Sequence, residues 1–153
     1  MEIWINLIQG IGIVFFEIIC CKNFLSSFFE KRNDFILWQK ISLPVLSVLV
    51  YFGALVFSNN ILLKTCYTFI VVSIIMFSYF KFKLIVGVIF TSIFEGLIYG
   101  IDYLVLLMFS EITISTSSEH LLTIFVSKML LFICVVFISK KWGVKNFFSC
   151  IIR

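Results

Sequence analysis

The chain has 153 residues, a formal net charge of +4, 62% hydrophobic residues and only 13% charged residues. Its mean hydropathy is +1.18. Because soluble domains carry about 25% charged residues, this composition excludes a water-soluble domain and predicts an integral membrane protein. We expect the lipid bilayer to be the solvent for most of the chain.

Five continuous apolar stretches follow one another along the sequence. A helix needs roughly 20 apolar residues to cross the bilayer core, and a transmembrane barrel would instead show strands of about ten alternating residues. The sequence therefore predicts an all-α fold: a single polytopic membrane helix bundle over residues 1–153 with about five transmembrane helices. The predicted spans are about 3–21, 41–58, 61–80, 84–110 and 121–139.

Basic residues are concentrated in the linkers on one side of the predicted bundle. Ten of the twelve are Lys22, Lys31, Arg32 and Lys40 after the first span, Lys81 and Lys83 after the third, and Lys140, Lys141, Lys145 and Arg153 after the fifth. The opposite linkers, 59–60 and 111–120, contain neither Lys nor Arg. Since cytoplasmic loops are enriched in Lys and Arg, we expect the N-terminus outside and the C-terminus inside. The positive charge then reports topology and does not indicate nucleic-acid binding.

The linker 22–40 has aromatic and aliphatic residues at helical spacing, namely Phe24, Leu25, Phe28 and Phe29. This pattern favours an amphipathic helix lying along the inner interface. A plain loop with scattered aromatic residues is the alternative. Glu17, near the predicted end of span one, is expected at the interface, within reach of Lys22.

Span four contains two ionisable residues, Glu95 and Asp102, with Tyr99 between them. At 100° per residue the three side chains share one narrow stripe of the helix. An ionisable group at the centre of a membrane helix costs about 2.5 to 3.5 kcal/mol, so such groups usually face protein or water. We expect this stripe to face the bundle interior.

A ridge of small residues, Ser92, Gly96 and Gly100, runs beside that stripe at four-residue spacing. Such ridges let membrane helices approach closely, so we expect this face to pack against a neighbouring helix. The bulky opposite face is expected to contact lipid. It consists of Phe90, Phe94, Leu97, Ile101 and Leu104.

Lys128 is the expected partner of the span-four carboxylates, because it lies at a comparable depth in span five. Lys64, one turn into span three, is a second candidate, as a partner of Asp102 or Glu111, although its side chain can also reach the membrane interface. Two interpretations stay open. The charges either hold the helices together or take part in ligand binding and signalling.

The residues that common catalytic or metal sites need are not found together. The five cysteines have no metal-ligand spacing, and the single histidine, His120, is predicted on the opposite side from Cys20, Cys21 and Cys150. We therefore expect no metal, no cofactor and no enzymatic activity.

Four segments of the chain carry a resemblance to a known family. They are 3–16, the linker FLSSFFEKR at 24–32, FEGLIY at 94–99, and SKMLLF at 127–132 continuing to Ser139-Lys140-Lys141. With these segments the layout resembles the N-terminal membrane sensor of bacterial quorum-sensing histidine kinases of the GHKL class, the accessory-gene-regulator receptor type.

The resemblance implies a multi-pass sensor in the bacterial cytoplasmic membrane, without the kinase region that family members carry after it. It further implies a secreted peptide ligand, received at the outer ends of the spans and at 111–120, and a homodimer or a partner membrane or kinase protein. A solvated loop is the alternative for 111–120. Two other functions stay open: a small membrane subunit of a transporter or export assembly, and a purely structural or immunity-type protein.

Overall fold

The computed structural model describes residues 2–32, 36–110 and 117–142. Across these ranges the chain forms five helices and one isolated β-bridge. The helices are α1 (Glu2–Ser26), α2 (Ile36–Val56), α3 (Ile61–Tyr79), α4 (Leu84–Ser110) and α5 (Ser117–Trp142). The predicted all-α class is therefore confirmed.

Four of these helices are long and apolar enough to cross a membrane. Their apolar parts are Asn6–Ser26, Ile61–Tyr79, Leu84–Phe109 and Leu122–Lys141. The apolar part of α2, Ile41–Val56, is shorter. However, α2 lies along α3 from the Ser42–Tyr79 hydrogen bond to the Phe57–Tyr67 ring contact, so the two helices share the same depth. The chain is a multi-pass membrane helix bundle.

The helices are arranged as a closed ring in chain order. Each helix packs against the next, α5 returns to pack against α1, and α1 also contacts α4. Short connections make successive helices antiparallel. By contrast, α1 and α5 run in the same direction, because four reversals of the chain separate them.

The linkers at one end of the ring are joined through their backbones. Lys31 and Phe80 form an antiparallel bridge, flanked by hydrogen bonds from Arg32 N to Tyr79 O (2.8 Å) and from Lys81 N to Glu30 O (2.9 Å). We call this the basic end, because the described residues Lys22, Lys31, Arg32, Lys81, Lys83, Lys140 and Lys141 lie near it. The grouping of the basic linkers agrees with the sequence pattern, and the side of the membrane that they face stays a prediction.

The predicted interfacial helix in the linker 22–40 is wrong for the described residues. Helix α1 continues to Ser26, and the chain then turns towards the bridge at Lys31. The four residues that formed the predicted apolar pattern are buried inside the bundle: Phe24, Leu25, Phe28 and Phe29. Their rings meet those of α4 and the α3–α4 linker, since Phe24 packs on Phe94, Phe28 on Phe90, and Phe29 on Phe82. Packing of aromatic rings against one another stabilises this buried arrangement.

The small-residue face of α4 does not pack against another helix of the described bundle, contrary to the prediction. Ser92, Gly96 and Gly100 are exposed, and a Cβ atom added at Gly96 or Gly100 would meet nothing within 4 Å. Most of the bulky face points inward instead. Phe94 is buried, Phe90, Leu97 and Ile101 pack against the core, and only Leu104 is exposed as expected. The physical reason is that large side chains fill the wide interior of a five-helix ring, whereas small ones would leave voids.

A buried hydrogen bond joins α2 to α3 at the basic end. Ser42 Oγ and Tyr79 Oη lie 2.6 Å apart, and both side chains are buried. We expect Tyr79→Phe to lower the free energy of unfolding by about 1 kcal/mol, the usual net value of such a bond. Thermal unfolding in detergent measures this loss. Tyr103→Phe, at an exposed position, is the control and should leave stability unchanged.

Candidate functional site

A charged cluster connects three helices near the centre of the bundle. Lys128 on α5 places its Nζ atom 2.7 Å from Glu17 Oε1 on α1, and 2.9 and 3.1 Å from the two carboxylate oxygens of Asp102 on α4. Ser127 Oγ also donates a hydrogen bond to Asp102. One lysine therefore serves two carboxylates, and we call Glu17, Asp102, Ser127 and Lys128 the ionic cluster.

The ionic cluster is largely shielded by the surrounding helices. The side chains of Lys128, Glu17 and Asp102 are 13%, 24% and 37% exposed. Ion pairs in such surroundings are screened less than pairs at a protein surface. Removing one partner would leave the other charges uncompensated, so the three residues act as one unit.

The position of Glu17 differs from the sequence-based expectation. It was expected at the interface near Lys22, but it lies well inside the span Asn6–Ser26 and binds Lys128. The difference arises because α1 is longer than predicted, which moves the membrane end of the helix beyond Lys22. A carboxylate within an apolar run was the available signal.

A cavity of about 410 Å³ lies between α1, α2, α3 and α4, beside the ionic cluster. It extends from Ser58 and Lys64, near the α2–α3 turn, down to Cys21 and Phe94. Its ionisable and tyrosine side chains are Glu17, Tyr51, Lys64, Glu95, Tyr99 and Asp102. The cavity therefore combines charged groups with an otherwise mostly apolar wall.

The structure brings the predicted polar residues of α4 together in this cavity. Glu95, Tyr99 and Asp102 all line it, as does Lys64 of α3. Asp102 pairs with Lys128, the partner expected from depth in the membrane. Among the described residues no ion-pair or hydrogen-bond partner lies against the Glu95 carboxylate, and Lys64 forms no ion pair with Asp102. The other candidate partner of Lys64, Glu111, lies outside the described residues.

The sequence-predicted packing residues Ser92, Gly96 and Gly100 belong to neither the cavity nor the ionic cluster. A different glycine, Gly10, allows α1 and α2 to approach each other closely beside the cavity. A Cβ atom added at Gly10 of α1 would meet the ring of Tyr51 on α2. Gly10 thus lets α2 bring a tyrosine against the cavity wall.

A second, mostly apolar groove of about 340 Å³ runs between α1 and α5. It is lined by Gln9, Gly12, Ile13, Phe16, Ile124, Phe125, Lys128 and Met129. Lys128 therefore lies between the two spaces: its ammonium group binds the cavity carboxylates, and the residue also lines the groove. Lys128 thus provides one route by which a change in the cavity can reach α5.

Packed aromatic rings fill the bundle between the cavity and the basic end. The ring centroids of Phe24 and Phe94 are 5.5 Å apart, and those of Phe28 and Phe90 are 5.1 Å apart. Buried residues around them complete this aromatic plug, which we define as Phe24, Leu25, Phe28, Phe29, Met76, Phe80, Phe82, Phe90 and Phe94. The cavity thus approaches one end of the bundle and is blocked by tight packing towards the other.

The fold and this site define a multi-pass membrane protein with a partly charged internal cavity. Within the described residues, no group of three or more His, Cys, Asp or Glu side chains is placed to hold a metal ion. Comparisons of the chain with protein-family models, curated proteins and solved structures found no match.

Proposed function

We propose that the chain is a signal-sensing domain of the bacterial cytoplasmic membrane, which receives a ligand in the cavity and passes the event to the basic end. The observation that carries this proposal is the asymmetry of the bundle. The cavity reaches Ser58 and Lys64 at the α2–α3 turn, while the aromatic plug fills the other half. A binding pocket needs one entrance, whereas a translocation path needs two.

The ionic cluster supplies a route from the cavity to α5. Glu17 and Asp102 line the cavity, and both hold Lys128. A ligand that engages either carboxylate changes the balance of forces on Lys128 and thereby the packing of α5 against α1 and α4. Such a domain has two packings that differ by a few kcal/mol, and the ligand favours one of them.

The resemblance to peptide-responsive histidine kinases supports the same function. In this proposal the domain has no catalytic activity of its own and acts on a kinase, either as a homodimer or through a partner protein. The ligand enters from the outer face, in line with the distribution of basic residues. Part of the predicted peptide-recognition segment, 111–116, lies outside the described residues.

A second candidate, a small subunit of a transporter or export assembly, is favoured by one observation. Glu95 and Asp102 both line the cavity, and carboxylates inside helix bundles relay protons or bind ions in transporters. This function requires the aromatic plug to open during transport. Movement of cavity ligands across proteoliposome membranes would support the transporter function.

The sensing proposal predicts a ligand-dependent movement of α5 at the basic end. Spin labels at Lys31→Cys and Lys140→Cys, in a variant without native cysteines and embedded in lipid nanodiscs, report the distance between the α1–α2 linker and α5. We expect conditioned growth medium of the source organism to shift this distance by about 2 Å or more. Electron–electron double resonance measures the shift.

The matched control pair is Lys31→Cys with Lys83→Cys. Lys31 and Phe80 are bridged through their backbones, so this distance should stay constant. The variant Lys128→Met should weaken the shift of the 31–140 pair, because it removes the two ion pairs that join the cavity carboxylates to α5. An unchanged 31–140 distance with medium from every growth phase would contradict the sensing function.

A further inference from the structure

The charges around the cavity do not balance. Its wall contains three carboxylates, Glu17, Glu95 and Asp102, and one lysine, Lys64. Lys128 adds a second positive charge from the side of α5 and is shared between Glu17 and Asp102. With every group ionised, three negative charges face two positive charges, and the cavity has one uncompensated negative charge.

Glu95 is the residue that this imbalance leaves without a partner. Lys128 holds the other two carboxylates, and no described residue donates a hydrogen bond or forms an ion pair with Glu95. Its side chain is only partly exposed and faces the cavity. Holding a carboxylate away from water without a partner is costly. A cation in the cavity would remove that cost and gain a charge-assisted hydrogen bond.

The remaining wall favours an organic cation over a bare metal ion. Besides Glu95, the cavity wall contains Val14, Ile18 and Val50, which suit a hydrocarbon body, and the tyrosines Tyr51 and Tyr99. Tyrosine ring faces attract cations within about 6 Å. The volume of about 410 Å³ also lies in the range of small-molecule sites, which are concave, mostly apolar and contain a few placed polar groups.

We propose that the cavity binds a protonated amine attached to an apolar or aromatic body, with the ammonium group on Glu95. This inference rests on the proposed sensing function and names the ligand chemistry of the same cavity. A free amine and the N-terminal ammonium of a peptide share this chemistry. Both place a single positive charge at the end of an apolar group that the cavity can enclose.

The test compares probes that differ only in charge. Binding of phenethylamine and of the neutral 2-phenylethanol to the protein in nanodiscs is measured by saturation-transfer NMR, with empty nanodiscs to subtract partition into lipid. We expect the amine to bind at least about tenfold more tightly, the factor that a hydrogen bond to a charged group supplies. Equal affinities would overturn the inference.

A second pair of probes separates the two sources of the ammonium group. The dipeptide amide Ile-Phe-NH2 has a free N-terminus, and its N-acetylated form has none. Tighter binding of the free dipeptide than of phenethylamine points to a peptide ligand, and the reverse order points to a free amine. Either order supports the ammonium site, provided that acetylation weakens dipeptide binding.

Glu95→Gln tests the residue assigned to the ammonium group. This variant keeps the shape of the side chain, so binding of 2-phenylethanol should persist and shows that the cavity is intact. We expect the preference for the amine to fall about tenfold. Glu30→Gln, at an exposed position at the basic end, is the matched control and should keep the preference. A Glu95→Gln protein that still prefers the amine would overturn the assignment.

The spin-label distances distinguish a failure of this inference from a failure of the sensing function. A shift with conditioned medium in a protein that shows no amine preference overturns the ammonium site and leaves sensing intact. An amine preference that Glu95→Gln removes, in a protein whose 31–140 distance never shifts, supports the ammonium site and overturns sensing.

Discussion

Replacing Lys128 by methionine is expected to lower the free energy of unfolding by about 3 kcal/mol. The substitution leaves Glu17 and Asp102 near each other without their shared cation. Removing one partner of a buried ion pair costs about 3 to 5 kcal/mol, and the partial exposure of Asp102 places the expected loss at the lower end. Unfolding in mixed detergent micelles, followed by circular dichroism, measures it.

The triple variant Glu17→Gln, Asp102→Asn, Lys128→Met is the decisive control. It removes all three charges together and should recover most of the stability, because no uncompensated charge remains in the ionic cluster. Lys140→Met, at an exposed site on the same helix, should change little. If the single and triple variants lose equal stability, the lysine contributes through packing of its stem and the ionic cluster is not a unit.

Gly53→Ala is expected to lower the free energy of unfolding by about 2 kcal/mol, a typical cost of inserting an extra carbon into a packed region. Its Cβ atom would collide with the ring of Tyr67 on α3. The Tyr67 hydroxyl donates a hydrogen bond to Leu49 O (3.2 Å), so the ring cannot move without breaking a link between α2 and α3. Thermal unfolding in nanodiscs measures the loss.

Two glycines of α4 supply the control for this prediction. Gly96→Ala and Gly100→Ala meet nothing within 4 Å, and alanine is a better helix former than glycine by up to about 1 kcal/mol. Both variants should therefore be as stable as the original chain or slightly more stable. A second test is the pair Gly53→Ala with Tyr67→Ala, which removes the collision. A loss at Gly96 comparable to that at Gly53 would contradict the orientation of α4.

The helices themselves could be predicted from sequence because each apolar run is a local property. Lipid leaves a backbone no hydrogen-bond partners, so a continuous run of about 20 apolar residues must be helical. The basic linkers lie at the same end because two spans, an even number, separate each of them from the next. The ion pair between Asp102 and Lys128 could also be predicted, since opposite charges at similar depth on neighbouring helices tend to pair inside a membrane.

The faces of those helices could not be predicted in the same way. In a water-soluble protein, the apolar side of a helix faces the core and the polar side faces the solvent. In a membrane bundle, the side that faces lipid and the side that faces the interior are both apolar, so helical periodicity does not tell them apart. Small residues at Gly96 and Gly100 therefore indicated a contact face, while the interior is filled by Phe90 and Phe94. The interfacial position predicted for Glu17 was wrong for a related reason. The end of α1 depends on tertiary contacts, such as that between the rings of Phe24 and Phe94, which the sequence does not show.

The sequence by itself determined that the protein lies in a membrane, that its apolar segments are helices, and that its basic linkers lie at one end of the bundle. These properties depend on hydropathy and charge within single segments. Only the tertiary structure decided which side chains meet. The sharing of Lys128 between Glu17 and Asp102, the unpartnered Glu95 and the aromatic plug all join residues far apart in the chain. Such contacts are selected by the packing of five helices at once, which no local pattern encodes.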